Sequence, residues 1–191
     1  MRRIIVGISG ASGAIYGIRM LEVLQGADDI EVHLIMSSSA GQTVADETDW
    51  KLADVKALAD VVHNNKDIGA SLSSGSFRTA GMIVAPCSVK TLSGIVNSYD
   101  DNLLTRAADV CLKEKRRVVL LVRETPLHLG HLELMARAAS YGAVVMPPVP
   151  AYYHRPKTLD DVINQTVGKA LDLFDVPHRL FRRWKETENT D

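Results

Sequence analysis

The stretch RIIVGISGASGAIYGIRMLEVL, residues 3–24, decides the fold of this chain. It opens with an apolar run, residues 3–9, whose β-branched centre predicts a buried strand. A turn of small residues follows, after which Ala14, Ile18 and Leu21 recur at spacings of four and three. That period predicts an amphipathic helix, so the chain begins with a strand, a glycine-rich turn and a helix.

The rest of the chain repeats this alternation of short apolar runs with longer stretches of helical period. Four further runs predict strands, at 30–36, 82–85, 117–122 and 143–146. An apolar stripe at 159–171 predicts a last helix, which the Thr158 and Asp161 pair opens as a capping box would. We therefore predict an α/β chain with a doubly wound parallel sheet, covered by helices on both faces in three layers, α/β/α, as a single domain.

Composition and charge exclude several classes of protein. The 191 residues are 46% hydrophobic and 24% charged, enough for one domain with a substantial core. A balance of 22 Lys and Arg against 23 Asp and Glu argues against nucleic-acid binding. Glycines interrupt the uncharged stretch 4–18 and prolines interrupt 138–153, so neither predicts a membrane span. With two cysteines in no disulfide or metal pattern, we expect a cytoplasmic protein.

Polar groups follow the first two predicted strands, where an open parallel sheet binds its ligands. The turn after the first strand holds Gly10 and Ser12, whose small size lets backbone amides approach an anion. The glycine spacing fits neither a dinucleotide nor a Walker motif, and tight helix packing explains it equally well. Ser37 ends the second strand in place of the acidic residue that holds a dinucleotide ribose. The pattern argues against NAD and leaves a mononucleotide open.

The next two strands also end in polar side chains. Ser88, Lys90 and Thr91 set hydroxyls and an amine at the start of another helix, where they suit a phosphate or a simple helix cap. Arg123 and Glu124 place a guanidinium and a carboxylate at the same rim, as a structural ion pair also would. Residues 68–78, rich in Ser and Gly, predict a loop that crosses an edge of the sheet or covers a site.

Three basic side chains on predicted helices are further candidates. Arg106 and Lys113 lie seven apart on one helix, where a single anion could reach both, although solvated surface is equally compatible. Lys169 lies at the edge of the last apolar stripe and either snorkels along the core or points into a cleft. No histidine or aspartate pair has a familiar ligand spacing, so we expect no catalytic metal. Cys87 and Cys111 fit small apolar roles better than nucleophilic ones.

An ordered series of motifs resembles one known family. The motifs are VGISGASGA at 6–14, ETD at 47–49, PCS at 86–88, TRAAD at 105–109, KEKR at 113–116, RETP at 123–126 and YYH at 152–154. They are similar to those of the UbiX-type flavin prenyltransferases, formerly labelled aromatic acid decarboxylases, over residues 3–184. The resemblance implies a flavodoxin-like or Rossmann-like fold. It also implies metal-independent transfer of a dimethylallyl group from dimethylallyl monophosphate to N5 and C6 of reduced FMN, giving prenylated FMN for a UbiD-type aromatic acid decarboxylase.

The same resemblance implies roles for individual residues. The flavin-binding positions are Gly10, Ala11, Ser12, Ser37, Ser88, Val89, Lys90, Thr91 and Arg123. Tyr153 and Lys169 would hold the phosphate of the prenyl donor. Further catalytic positions are Glu47, Arg106, Lys113 and Glu124. The carboxylates of Glu47 and Glu124, and the released phosphate, are candidate bases that would accept the flavin proton.

The family resemblance also implies a homododecamer with its sites at subunit contacts. The tail at 176–191 is expected to form a short helix or an arm that packs on a neighbouring subunit, and Trp184 matches a family tryptophan. Two other functions stay open. An FMN-dependent cysteinyl-peptide decarboxylase shares the fold, but its early catalytic His and Pro-x-Met-Asn segment are missing from this sequence. A non-catalytic FMN carrier needs the phosphate cradle but not Glu47, Lys113 or Glu124.

Overall fold

The structure, a computed structural model, describes residues 1–185. Within this range, six strands form one sheet. In chain order the strands are β1 Arg2–Ile8, β2 Ile30–Met36, β3 Val61–His63, β4 Gly81–Cys87, β5 Arg117–Val122 and β6 Val144–Val145. They pair in the order β3-β2-β1-β4-β5-β6, and every pair is parallel. From β1 the chain continues outward to β2 and β3, and from β4 it continues in the opposite direction to β5 and β6. This order confirms the predicted doubly wound sheet.

Helices cover both faces of this sheet. Within residues 1–185 they are α1 Ala14–Gln25, α2 Ser38–Glu47, α3 Leu52–Ala57, α4 Val89–Val96, α5 Leu103–Lys113, α6 Leu129–Ser140 and α7 Leu159–Asp172. Side chains alternate between the faces along each strand, so Ile4 packs with α1 and α7 while Ile5 packs with α4 and α5. β4 is buried along its whole length, as expected of a strand covered on both sides.

The five predicted strands are confirmed, with ends that differ by one or a few residues. β1 ends at Ile8 rather than at Ser9, and β4 extends through Pro86 to Cys87 where the prediction stopped at 85. A shift in register between Val84 and Cys87 lets the strand accommodate the proline. The sequence analysis missed β3, because three residues are too short for a period to be visible.

Residues 64–80 connect β3 to β4 without a long helix. This segment contains one short 3-10 turn, Ser71–Ser73, and its Leu72 and Phe77 pack against Ile5 and Ile35 of the sheet. It thus crosses over β2 and β1 on the face that carries α5. The prediction of a loop at 68–78 is confirmed, but its predicted crossing of a sheet edge is not, because the segment packs over β1 and β2.

The tail up to residue 185 contains no helix and folds back on α7. His178 Nε2 lies 2.9 Å from the Gly168 carbonyl oxygen, and the Arg183 guanidinium binds both carboxylate oxygens of Asp172. The predicted contact with a neighbouring subunit stays a prediction, and its part at 186–191 lies outside the described residues. None of the helices in residues 1–185 has the length and apolar character needed to cross a membrane.

Candidate functional site

Ser9 joins the ends of the two central strands. Its side chain is fully buried, and its Oγ donates to the Pro86 carbonyl and accepts from the Ser88 amide, both at 2.8 Å. The turn after β1 and the turn after β4 are therefore held side by side. This contact fixes the distance between the turn after β1 and the turn after β4.

Loop 9–13 passes very close to the start of α2. A Cβ atom built on Gly10 would lie 2.2 Å from Ser39 Cβ, so only glycine fits there. Gly13 has a φ of 97°, a left-handed conformation that also favours glycine. The small residues that the sequence analysis singled out are thus required by close approach and by backbone conformation at these two positions.

Two helices begin at the same place, at the carboxyl ends of β2 and β4. Ser37 caps α2 by accepting from the Ala40 amide at 3.2 Å, and Ser88 caps α4 by accepting from the Thr91 amide at 3.2 Å. Other amides of each first turn have no partner inside the helix, and both helix dipoles are positive at this end. Lys90 adds a formal charge. The arrangement suits a phosphate group.

A cavity of about 670 Å³ lies between these elements. Five predicted flavin-binding positions line it: Gly10, Ser37, Ser88, Lys90 and Thr91. Its volume is in the range of small-molecule sites, about 300 to 1,000 Å³. The sequence analysis missed Asn65, Asn97, Tyr99 and Asn102, which also line the cavity. The polar runs at 64–65 and 97–102 were the available signal, but neither follows a predicted strand.

Glu47 belongs to the last turn of α2 and lies at the far end of loop 9–13, near Arg123 and Tyr16; we call this group the rim. Its Oε2 accepts from the Gly13 amide at 2.7 Å and from the Ala14 amide at 3.3 Å, so it binds the start of α1. Burial by itself raises the pKa of this carboxyl, but the Ser12 side chain and the two amides outweigh burial and hold the pKa below its usual value. Glu47 is therefore a charged clamp on loop 9–13.

Arg123 approaches the same rim from the end of β5. Its amide donates to the Cys87 carbonyl at 3.0 Å, and its charge contributes to lowering the pKa of Glu47. Tyr16 also faces this charge, although burial dominates and raises the pKa of the phenol. Glu124, next in the chain, is exposed, and within residues 1–185 the one donor to its carboxylate is the Thr125 amide, at 3.0 Å. The rim thus combines a neutral phenol, a guanidinium and two carboxylates.

The remaining flavin-binding predictions lie beside these groups. Ala11 and Ser12 are in the loop that Glu47 clamps, and Val89 is the first residue of α4. The structure therefore brings the strand-end residues together around one cavity and rim, as the strand-end argument requires.

Arg106 and Lys113 do not join this group within one chain. The Arg106 guanidinium binds the carboxylates of Asp100 at 3.2 Å and Asp109 at 3.1 Å, and its Nε donates to the Ser73 carbonyl at 3.3 Å. Lys113 pairs with Glu114 at the end of α5, close to the amino end of β5. The two side chains have different partners, and neither lines the cavity.

Tyr153 and Lys169 lie with the tail of the chain. The Tyr153 ring meets Trp184 edge to face, with centroids 5.5 Å apart. Lys169 Nζ lies 3.8 Å from the carboxylate of Asp172, which also binds Arg183. The site residues thus form three separate sets: the strand-end cavity, α5, and the α7 region with the tail.

The cysteines and acidic residues offer no second chemical centre in the described part of the chain. Burial raises the pKa of Cys87 to about 12 and that of Cys111 to about 11, so both thiols are protonated at neutral pH. Among residues 1–185, no three His, Cys, Asp or Glu side chains are grouped to hold a metal ion.

Fold and cavity together define a doubly wound α/β protein with a cavity at its strand ends that suits a phosphate group. A family model described as Flavoprotein matches residues 1–171. The flavin prenyltransferase UbiX of Escherichia coli K12 is 66% identical to this chain over 187 residues, which are 97% of this chain and 99% of the relative. The chain belongs to the UbiX flavin prenyltransferase family, and it is an enzyme that prenylates a flavin.

Solved structures agree with this assignment. AnUbiX, crystallised with FMN and dimethylallyl pyrophosphate, is 50% identical and superposes with a TM-score of 0.95 over 98% of this chain and 99% of its own. The dodecameric FMN-dependent UbiX-like decarboxylase of Escherichia coli O157:H7 is 48% identical, with a TM-score of 0.94 over 96% of this chain and 100% of its own. The predicted fold and family are thus confirmed.

Proposed function

We propose that this chain transfers a dimethylallyl group from dimethylallyl monophosphate to N5 and C6 of reduced FMN. The observation that carries the proposal is the convergence of two helix N-termini and Lys90 on one cavity at the strand ends. Amides and an ammonium there would bind the flavin phosphate. AnUbiX was crystallised with FMN and an allylic diphosphate, which supports the same classes of ligand for this chain.

The flavin phosphate would lie at the serine-capped helix starts, against Ser37, Ser88 and Thr91. The isoalloxazine would then extend towards loop 9–13 and the Arg123 guanidinium. Gly10 belongs to loop 9–13 and also lines the cavity, which supports this orientation. Ala11, Ser12 and Val89 would complete the contacts around the ring.

The reaction breaks the carbon–oxygen bond of an allylic phosphate, whose electron pair leaves with the phosphate. Donors that neutralise this charge lower the barrier. Four predicted donors, Arg106, Lys113, Tyr153 and Lys169, lie away from the cavity of their own chain. We therefore propose that other copies of the chain supply them, in a homododecamer like that of the UbiX-like decarboxylase from Escherichia coli O157:H7. Charge neutralisation by side chains alone would make the reaction independent of metal.

Bond formation at N5 and at C6 removes one proton from each position of the flavin, and ring closure returns one proton to the double bond of the dimethylallyl group. A group that accepts protons is therefore needed near the ring. Glu47 is a poor candidate, because amides already occupy its oxygen and its pKa lies below the usual value. Glu124 has a single amide donor and is exposed at the same rim. We propose Glu124 as the base and Glu47 as a positioning residue for loop 9–13. The prenylated FMN would pass to a UbiD-type decarboxylase.

The proposal is tested by anaerobic incubation of the protein with reduced FMN and dimethylallyl monophosphate, with and without EDTA. We expect a flavin heavier by one dimethylallyl unit, formed at the same rate with the chelator. A flavin of unchanged mass would refute the transferase reaction, and a product lost with EDTA would refute metal independence.

Subunit mixing tests the shared site separately. Lys113→Ala and Glu124→Gln single variants should each be inactive, and co-assembly should restore activity, because some sites then combine an intact Lys113 with an intact Glu124. Co-assembled oligomers that remain inactive would refute a site built from several copies. Oligomers of each variant assembled alone are the control.

A further inference from the structure

Two histidines of neighbouring strands form a hydrogen-bonded pair outside the cavity, of which His33 is buried and His63 is half-buried. His33 of β2 is 2% exposed, and its Nδ1 lies 2.8 Å from Nε2 of His63 in β3. The other nitrogen of His33 lies 2.7 Å from the Glu31 carboxylate, which also binds the Arg3 guanidinium at 3.2 Å. The edge of the Phe77 ring covers His33, with centroids 5.5 Å apart. The pair thus lies beneath segment 64–80.

The hydrogen-bond partners fix the protons of this pair. The hydrogen bond from His33 and the nearby Arg3 lower the pKa of Glu31, so its carboxylate only accepts and His33 Nε2 carries a proton. In the neutral pair, His33 Nδ1 then accepts from His63 Nε2. One added proton leaves this bond intact, but two would point N–H groups at each other across 2.8 Å. The contact therefore survives one proton and not two.

His63 is connected to the flavin cavity by a very short path. Two residues further on, Asn65 lines the cavity and accepts from both first amides of α5, from Leu103 N at 2.8 Å and from Leu104 N at 2.9 Å. Segment 64–80 also holds Arg106 through the Ser73 carbonyl. These contacts connect His63 to the cavity wall and to α5.

We propose that His63 is a positioning residue. Its hydrogen bond to His33 keeps segment 64–80 in place, and with it Asn65 and the start of α5; we call this the hold. Double protonation of the pair breaks the hydrogen bond and so removes the hold. The effect on flavin binding rests on the proposed function, whereas the hold itself does not.

The charged groups around the pair determine the pH at which the hydrogen bond between His33 and His63 is lost. Glu31 and Arg3 face His33, while Asp67 of the segment acts on His63, and Lys56 of α3 and Lys66 share a groove with it. Burial and then His33 lower the pKa of His63, against a smaller opposing effect of Asp67. Because the pKa of His63 is lowered in the folded chain, its contribution to the stability of the fold is full above the ordinary value of 6.5. This contribution is lost as the pH falls through the lowered value.

Hydrogen exchange of the full-length protein, corrected for intrinsic rates, tests the hold without any ligand. From about pH 7.5 to about pH 5, we expect the protection of segment 64–80 to fall about tenfold, while α7 stays protected. His63→Gln should remain protected at both values, because its amide can donate to or accept from His33 without gaining charge. His128→Gln, which removes an exposed histidine at the start of α6, is the control and should behave like wild type.

Protection of segment 64–80 that does not change with pH, or an acid transition that persists in His63→Gln, would overturn the proposal. FMN titration by flavin fluorescence gives the second readout. Wild-type affinity should weaken about tenfold over the same range and that of His63→Gln should not. Acid-insensitive FMN binding in wild type would overturn the positioning role. If FMN binds to no variant at any pH while the exchange result stands, the proposed function fails and the hold is supported.

Discussion

Replacing Glu47 by glutamine tests how the start of α1 is held against the flavin rim. The carboxylate accepts from the Gly13 and Ala14 amides through one oxygen, at 2.7 and 3.3 Å. Glutamine keeps an oxygen acceptor of similar reach but removes the negative charge at the positive end of α1. The substitution therefore separates the effect of the negative charge of Glu47 from the effect of its size and hydrogen-bonding reach.

The expected magnitude follows from the two contacts. Hydrogen bonds to a charged group contribute about 1.5 to 3 kcal/mol, against about 0.5 to 1.5 for neutral ones, and a charge at a helix N-terminus adds about 0.3 to 1 kcal/mol. Solvent screens this rim, so we take the lower end, about 1 kcal/mol of unfolding free energy. If the whole of this energy is also lost from FMN binding, the affinity falls about fivefold.

The pH dependence has a definite sign. Because the pKa of Glu47 is lowered in the folded chain, its contribution is full above the ordinary pKa of 4.5 and is lost as the pH falls through the lowered value. Urea unfolding should therefore separate Glu47→Gln from wild type near neutral pH, and this difference should shrink in acid.

Prenylation gives the decisive assay for Glu47. Misplacing reacting groups by about 1 Å costs about a hundredfold in rate, so a slackened loop 9–13 should lower kcat/KM by at least about tenfold. Asp46→Asn is the matched control, since within residues 1–185 the Asp46 carboxylate accepts from the Gln42 side chain one turn earlier and forms no hydrogen bond to loop 9–13. A Glu47→Gln variant with wild-type FMN affinity and a wild-type prenylation rate would refute the reasoning.

Three further predictions concern packing, capping and thiol reactivity. Gly17→Ala should lower the unfolding free energy by about 3 kcal/mol in urea titrations, because its Cβ would lie 2.3 Å from the Ala85 carbonyl oxygen; Gly41→Ala, with 3.5 Å to its nearest atom, should not destabilise. Thr158→Ala should cost about 1 kcal/mol in the same titration by breaking the capping box of α7, and an unchanged midpoint would contradict this. Cys87 and Cys111 should resist iodoacetamide in the native protein at neutral pH and react in urea, as read by intact mass; native labelling would contradict their raised pKa values.

The strand-end residues were predictable because the topology of a parallel sheet forces them together. Ser37 and Ser88 are far apart in the chain, yet each follows a strand whose carboxyl end lies at the same edge. An apolar run signals the strand and a following serine signals the helix cap, so both helix starts could be inferred. Asn65 follows a strand too short to be recognised, and so its place in the cavity wall was missed.

Arg106 and Lys113 show the opposite case. Their spacing correctly indicates one helix, α5, but spacing along a helix carries no information about which surface the helix meets. Asp100, which engages Arg106, is visible as its partner only in three dimensions. The His33 and His63 pair was missed for the same reason, because the register of β2 with β3 creates it.

The position of the flavin is the central claim, and a crystal structure with bound FMN tests it most directly. Electron density is predicted for the phosphate at the starts of α2 and α4, against Ser37 and Ser88, with the isoalloxazine between loop 9–13 and Arg123. Density for the ring in any other part of the molecule, or a phosphate held away from both helix starts, would contradict the account.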